Sequence, residues 1–219
     1  MKKIIFLCAC LITFIAHHTF SQAVGTWVYA VECTNNEAIC ETYHNRVVIV
    51  IDTHKIAVLI SKNDEVRERF ILNSQNDTFY YLHDSLSIGY HTSLNALNAF
   101  PDSLPDFELQ GTYPAEFMNQ TCTVVETGIN SEGQVLSQSF WVENNAPEIS
   151  NSFSIPYGII PVINALNRKM PLRVVFSTEN LPENLALEYT LVSYTPTPSY
   201  SLLEIADDIV IKEYLASTY

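Results

Sequence analysis

The amino-acid sequence predicts a mainly β protein with a few short helices, built on a curved antiparallel sheet. Three observations carry that expectation. Runs rich in Val, Ile, Tyr and Phe recur from Arg46 to Leu82 with polar turns between them, the rhythm of an up-and-down meander. Between Thr121 and Pro147, two strand-like runs, Cys122–Thr127 and Val135–Val142, flank a turn built from Asn130, Ser131 and Gly133, the clearest hairpin signal in the chain. Elsewhere Asn, Asp, Ser, Gly and Pro punctuate short apolar runs, and no internal repeat or low-complexity stretch stands out.

The chain opens with Met1-Lys2-Lys3, continues through the apolar run Ile4–Ala16 and leaves it in the small and polar stretch His17–Ala23. A basic start, a short apolar middle and a small-residue exit predict a secretory signal peptide over 1–23 and a single β-rich domain over 24–219. The apolar run is shorter than the about 20 residues a bilayer-crossing helix takes, so no transmembrane segment is expected in the mature chain. Leu7-Cys8-Ala9-Cys10 loosely resembles a lipobox, although apolar residues continue past Cys10 to Ile15; a lipid-anchored form is the alternative. The expected location is the periplasm or the extracellular space. Without Lys2 and Lys3, 9 basic residues face 24 acidic ones, a formal charge of −15. Such a surface repels nucleic acid and anionic membranes and favours solubility without specifying a partner.

Three cysteines lie beyond the leader. In an oxidising compartment Cys33 and Cys40 would close the small loop CTNNEAIC and leave Cys122 as a buried small hydrophobe. Pairing of either with Cys122 is also compatible with the spacing, which does not fix connectivity. The spacing matches no compact two-pair zinc pattern, and no metal or cofactor is expected.

Taken in order, Thr26–Cys33 (TWVYAVEC) reads as the first strand. Arg46–Ile51, Ile56–Ile60, Val66–Leu72 and Thr78–Leu82 follow, separated by the turns Asp52–Lys55, Ser61–Glu65 and Asn73–Asp77. The charges Glu65, Arg67, Glu68 and Arg69 suit an edge or a wet face. Leu86–Phe100 breaks the rhythm. With Leu94, Leu97 and Phe100 at helical spacing after Ser93, it reads as a short helix or irregular cover. Pro101, Pro105 and Pro114 mark a loop-rich bridge to the hairpin. Pro161 suits the first turn of a helix over VINALNRK. Leu172–Thr178 and Ala186–Tyr194 read as strands, and Thr195–Ser199 as a stiff connector. Leu202, Ile205 and Ile209 suggest a final amphipathic helix, or a strand followed by a helical turn, over Ser201–Leu215.

The order of these landmarks resembles a family. A leader ending Phe20–Ala23, a first strand with Trp27 and Tyr29, a meander from Val47 to Leu82, and Cys122 opening a hairpin that ends Phe140-Trp141-Val142 are together similar to the periplasmic LolA/LolB-like half-barrel proteins common in Bacteroidetes, including the DUF4412 and GLPGLI groups. The likeness rests on pattern and order: Ala115–Gln120 stands where those groups carry Gly-Tyr-Lys, and Leu203–Ala206 where they carry Phe-x-Ile-Pro. The resemblance implies a sheet partly wrapped around helices, with an apolar concave face; members with known roles carry lipoprotein acyl chains. Trp27, Tyr29, Phe79, Tyr81, Phe140 and Phe176 would line that face if they point inward, and would otherwise be plain core.

Motifs for catalysis are missing: there is no Gly-x-Ser-x-Gly, Walker loop or His-Glu-x-x-His. His44, His54, His83 and His91 are widely spaced beside turns, and neither Asp52/His54 nor His83/Asp84 makes a strong base or metal pair. Carboxylate pairs such as Asp207/Asp208 or Glu65/Glu68 cannot be placed face to face from sequence. The expected function is therefore that of an exported, non-enzymatic binding protein holding an apolar or lipid-like ligand. The alternative is a structural or interaction module of the cell envelope with an envelope protein as its partner.

Overall fold

Side-chain alternation along twelve strands divides the molecule into two faces of one sheet. The computed structural model describes residues 23–94, 108–131, 134–149, 168–179 and 185–213. The strands are β1 (Gly25–Thr34), β2 (Arg46–Ile51), β3 (Lys55–Lys62), β4 (Glu65–Asn73), β5 (Thr78–His83), β6 (Ile88–Ser93), β7 (Glu108–Phe117), β8 (Gln120–Ser131), β9 (Gln134–Glu143), β10 (Arg173–Glu179), β11 (Ala186–Thr195) and β12 (Val210–Glu213). One short helix, α1 (Glu37–Thr42), follows β1. The sheet order is β12-β6-β5-β4-β3-β2-β1-β11-β10-β9-β8-β7. Every pairing is antiparallel except that of β12 with β6. The result is a mainly β, open and curved sheet made of two meanders, β1–β6 and β7–β11, fused where β1 meets β11.

Chain length demands the curvature. β6 and β7 lie ten strand spacings apart in the sheet, about 48 Å if it were flat. Ten antiparallel steps leave them pointing the same way, and the registers set Glu108 about ten residues back along the strand direction from Ser93, so the link must also return about 33 Å. The fourteen steps from Leu94 to Glu108 reach at most about 50 Å when fully extended. That is less than the flat diagonal. The sheet has to bend.

One face carries the aromatic core: Trp27, Tyr29, Val47, Ile49, Ile56, Val58, Phe70, Leu72, Phe79, Phe140, Val174 and Tyr189 belong to a single packed cluster. The Tyr29 hydroxyl, wholly buried there, donates to the Pro171 carbonyl at 2.8 Å, which joins the centre of the sheet to the entry of β10. The other face of the first meander carries Val48, Val50, Ala57, Leu59, Ile71 and Leu82. It is covered by the chain running from β11 to β12. This strap packs Leu202, Leu203, Ile205 and Ile209 onto that face before ending in parallel register beside β6. Polar contacts help to hold it. Arg69, ion-paired with Asp84, donates to the Glu204 carbonyl at 2.8 Å, and the Ser199 amide donates to Thr26 Oγ1 at 2.9 Å.

Four sequence expectations change here. Residues 88–93 form strand β6, where a helix or irregular cover was expected from Leu86 onward; the helical positions Leu97 and Phe100 lie outside the described residues. Much of the proline-marked bridge is strand β7. Pro114 is tolerated because β7 is an edge strand, where a missing N–H leaves no ladder bond unmade. The C-terminal stretch is a 3-10 turn, Tyr200–Leu203, followed by strand β12, so its apolar spacing reflects a chain crossing a sheet instead of a helix face. Helix α1 was not expected from the sequence; Asn36 caps it by accepting from the Ile39 amide at 3.1 Å. The helix anticipated over VINALNRK falls mostly outside the described residues.

Cys33 and Cys40 are disulfide-bonded, tying β1 to α1, and Cys122 is a buried free thiol. Replacing both Cys33 and Cys40 with Ser should lower stability by about 2.5 kcal/mol, the loop-closure entropy of so short a ring, as read from urea unfolding with and without reductant. Tyr29→Phe leaves the buried Pro171 carbonyl without its donor. A loss of about 1–3 kcal/mol is expected at unchanged m-value, and an unshifted urea midpoint would show that the bond contributes nothing.

Candidate ligand-binding site

The hairpin β8–β9 supplies the floor of a cavity of about 710 Å³. Val125 faces Phe140 across the ladder and Thr123 faces Val142, so all four share the aromatic face. On β7 the register slips between Leu109 and Gly111. That bulge brings Leu109 and Thr112, three apart in sequence, to the same face as Val125. Leu109, Thr112, Thr123, Val125 and Val142 therefore line one side of the cavity.

Its rim comes from the chain beyond β9. Asn144 Oδ1 accepts from Thr123 Oγ1 at 2.7 Å, while its backbone carbonyl accepts from Lys169 Nζ at 2.9 Å. Glu148 and Lys169 form an isolated antiparallel bridge, and the Ile149 amide donates to the Arg168 carbonyl at 2.8 Å. Arg168 adopts a positive φ of 62°, and Arg168 and Lys169 both line the cavity. Glu143 and Glu148 complete the charged rim. One step further along the ladder, Thr127 faces Gln138; both are buried, and neither Thr127 Oγ1 nor Gln138 Oε1 meets a hydrogen-bond partner among the described residues.

The six aromatics expected at the site all belong to the cluster on this face. Trp27, Tyr29, Phe79 and Phe140 are buried in it, and Tyr81 and Phe176 pack partly buried against it. They contact the core in ring pairs: Phe70 stacks on Tyr81 at 5.0 Å, Phe176 meets Phe140 edge-on at 6.3 Å and Tyr189 at 5.5 Å. None of the six lines the cavity, although Phe140 is the cross-strand neighbour of its floor residue Val125. Sequence reasoning missed Arg168 and Lys169 as site residues because they close VINALNRK, the stretch read as helix, whereas the structure has them in a turn and a bridge. Val125 and Val142 were visible as hairpin apolar positions, but not their facing.

Two further polar groupings lie away from the cavity. On the opposite face Arg173 donates from Nε and Nη2 to the two carboxylate oxygens of Glu188, both at 2.7 Å, with its guanidinium 4.6 Å from the Trp141 ring. That bidentate bond holds the Glu188 carboxyl below the usual carboxylate range despite partial burial. Beside the disulfide, His44 stacks on Tyr43 at 4.2 Å, and its Nε2 lies 3.2 Å from the Tyr189 hydroxyl. Burial, reinforced by the charge of Lys62, lowers the His44 pKa to about 4. Among the described residues no three His, Cys, Asp or Glu side chains gather as metal ligands.

No family model and no curated protein matches the chain. Solved structures similar to it include PNGF-II, at 14% identity and a TM-score of 0.45, a match that covers 89% of this chain and 32% of that one. The chain thus spans about a third of the length of that structure.

The His44 environment gives a pH dependence of definite sign. The unfolded chain takes up a proton on His44 below about 6.5, the folded chain only below about 4, so the unfolded state binds more protons between those values. Stability should fall as pH drops from 6.5 to 4, by up to about 3 kcal/mol from this group. In His44→Gln, the difference in urea midpoint between pH 7 and pH 4.5 should shrink; an unchanged difference would place the acid sensitivity elsewhere.

Proposed function

We propose that this chain is an exported, non-enzymatic binding protein of LolA-like half-barrel type that holds an apolar or lipid-like ligand over the floor formed by Leu109, Val125 and Val142, on the face read as concave. The observation that carries this reading is the cavity. Its 710 Å³ falls within the range of small-molecule sites, it has an apolar floor continuous with the aromatic core, and a few polar groups converge on its rim. The basic, apolar and small-residue sequence of the N-terminus supports export, and a disulfide tying β1 to α1 fits an oxidising compartment.

A second reading, an interaction module of the cell envelope, draws on the edge strand β7, where Leu109, Tyr113 and, in the adjoining turn, Met118 are exposed. An edge with exposed apolar side chains is suited to strand addition by a partner.

Native mass spectrometry of the protein exported with its leader into a bacterial periplasm separates the two. The binding reading expects a co-purifying adduct of lipid-like mass that is released on denaturation. Thr112→Trp, a substitution at an exposed cavity-lining position that fills the space without touching the core, should remove most of that adduct. A clean apo mass in repeated preparations would favour the envelope module.

A further inference from the structure

The cavity rim carries charges of both signs on a protein that is otherwise strongly acidic. Arg168, Lys169, Glu143 and Glu148 all line the cavity, and Glu148 is the bridge partner of Lys169. The ion pairs formed among the described residues are Arg46–Asp64, Arg69–Asp84 and Arg173–Glu188, all away from the rim. Lys169 is held by the Asn144 carbonyl, and neither Glu143 nor Glu148 is in an ion pair among the described residues. The rim therefore presents opposite charges next to an apolar floor without spending Lys169 or either glutamate on a salt bridge.

Resting on the binding reading above, we infer that the ligand is a single-chain amphiphile with a zwitterionic head. Its phosphate or carboxylate sits at Arg168 and Lys169, its ammonium at Glu148 and Glu143, and its chain runs over Leu109, Val125 and Val142. Charge complementarity decides the class. A purely anionic head gains from the two cations but is opposed by both rim carboxylates and by the field of a chain with 24 acidic residues against 11 basic ones. A purely cationic head meets Arg168 and Lys169 at close range. An uncharged head leaves Lys169, Glu143 and Glu148 to be desolvated with nothing in return. A dipolar head satisfies both signs at no net charge, and a cavity of about 710 Å³ is of a size to hold such a molecule with one chain.

The test is titration calorimetry of the delipidated mature protein with a matched ten-carbon series below the micellar range: decylphosphocholine, decanoate, decyltrimethylammonium and 1-decanol. The zwitterion should bind tightest, by about tenfold or more over each of the others, the factor that one charge-assisted contact contributes. Lys169→Gln and Glu148→Gln should each weaken decylphosphocholine about tenfold and leave 1-decanol unchanged, while Lys169→Arg restores affinity and the remote Lys212→Gln on β12 has no effect. Arg168→Asn, which keeps a residue tolerant of positive φ, should act like Lys169→Gln. Adding a zwitterionic lysophospholipid and an alkyl betaine, which carries an ammonium and a free carboxylate, distinguishes a phosphate head from a carboxylate one. Equal affinity for decylphosphocholine and 1-decanol, or rim variants that leave the zwitterion unaffected, would overturn the head-group inference while the binding reading stands. Failure of every member of the series to bind would overturn both.

Discussion

The short reach between Leu94 and Glu108 sets the form of the molecule. Twelve strands laid side by side would make a broad ribbon, yet the two strands joined by this link stand near its opposite ends and point the same way. A link of this length allows that order only when the ribbon curls. Curling makes the two faces inequivalent, and the sequence uses them differently. Large rings, Trp27, Tyr29, Phe70, Phe79, Phe140 and Tyr189, fill one face; Val48, Val50, Ala57 and Leu59 pave the other, where the strap lies flat. The cavity sits where the aromatic filling gives out, over β7 to β9, and its boundary is completed by the chain that returns toward β10.

Much of the sheet was legible in the sequence because the first meander and the hairpin carry strong local signals. β2 and β3 read as β-branched runs with polar turns between them, and β8–β9 as a hairpin, since turn chemistry and alternation are properties of neighbouring residues. The elements that escaped are those decided by distant partners. β6 (IGYHTS) has a weak strand composition, and its Gly89 is explained only by its neighbours in space: a Cβ there would lie 2.5 Å from Leu82 on β5 and 2.6 Å from Ile211 on β12. β7 contains a proline that an edge tolerates and a glycine at its bulge. The strap's apolar residues recur at near-helical spacing, yet they pack onto the sheet face from a 3-10 turn and the extended chain after it. The candidate site follows the same division. Its floor came from a visible hairpin, whereas its rim is assembled by a bridge between Glu148 and Lys169 that no local pattern announces. The aromatics expected to line a pocket were identified as sharing a face, and the structure places them in the packed interior beside the cavity.

The fusion of the two meanders at β1 and β11 bears on the order in which the chain becomes a protein. Thr26 pairs with Thr195, and Thr26 also meets Thr197 and Ser199 through its side chain, contacts across some 170 positions of sequence. A chain threaded through a translocation channel from its N-terminus would deliver β1 to β6 first, and each of those strands can add to the one before it. The open flank of β1 has no partner until β11 arrives near the end of synthesis. Through that interval the half-finished sheet exposes Trp27, Tyr29 and Val31 along an unpaired edge, a surface suited to premature association. A pairing at the middle of the sheet is thus among the last to form, followed only by the strap and β12 at its end.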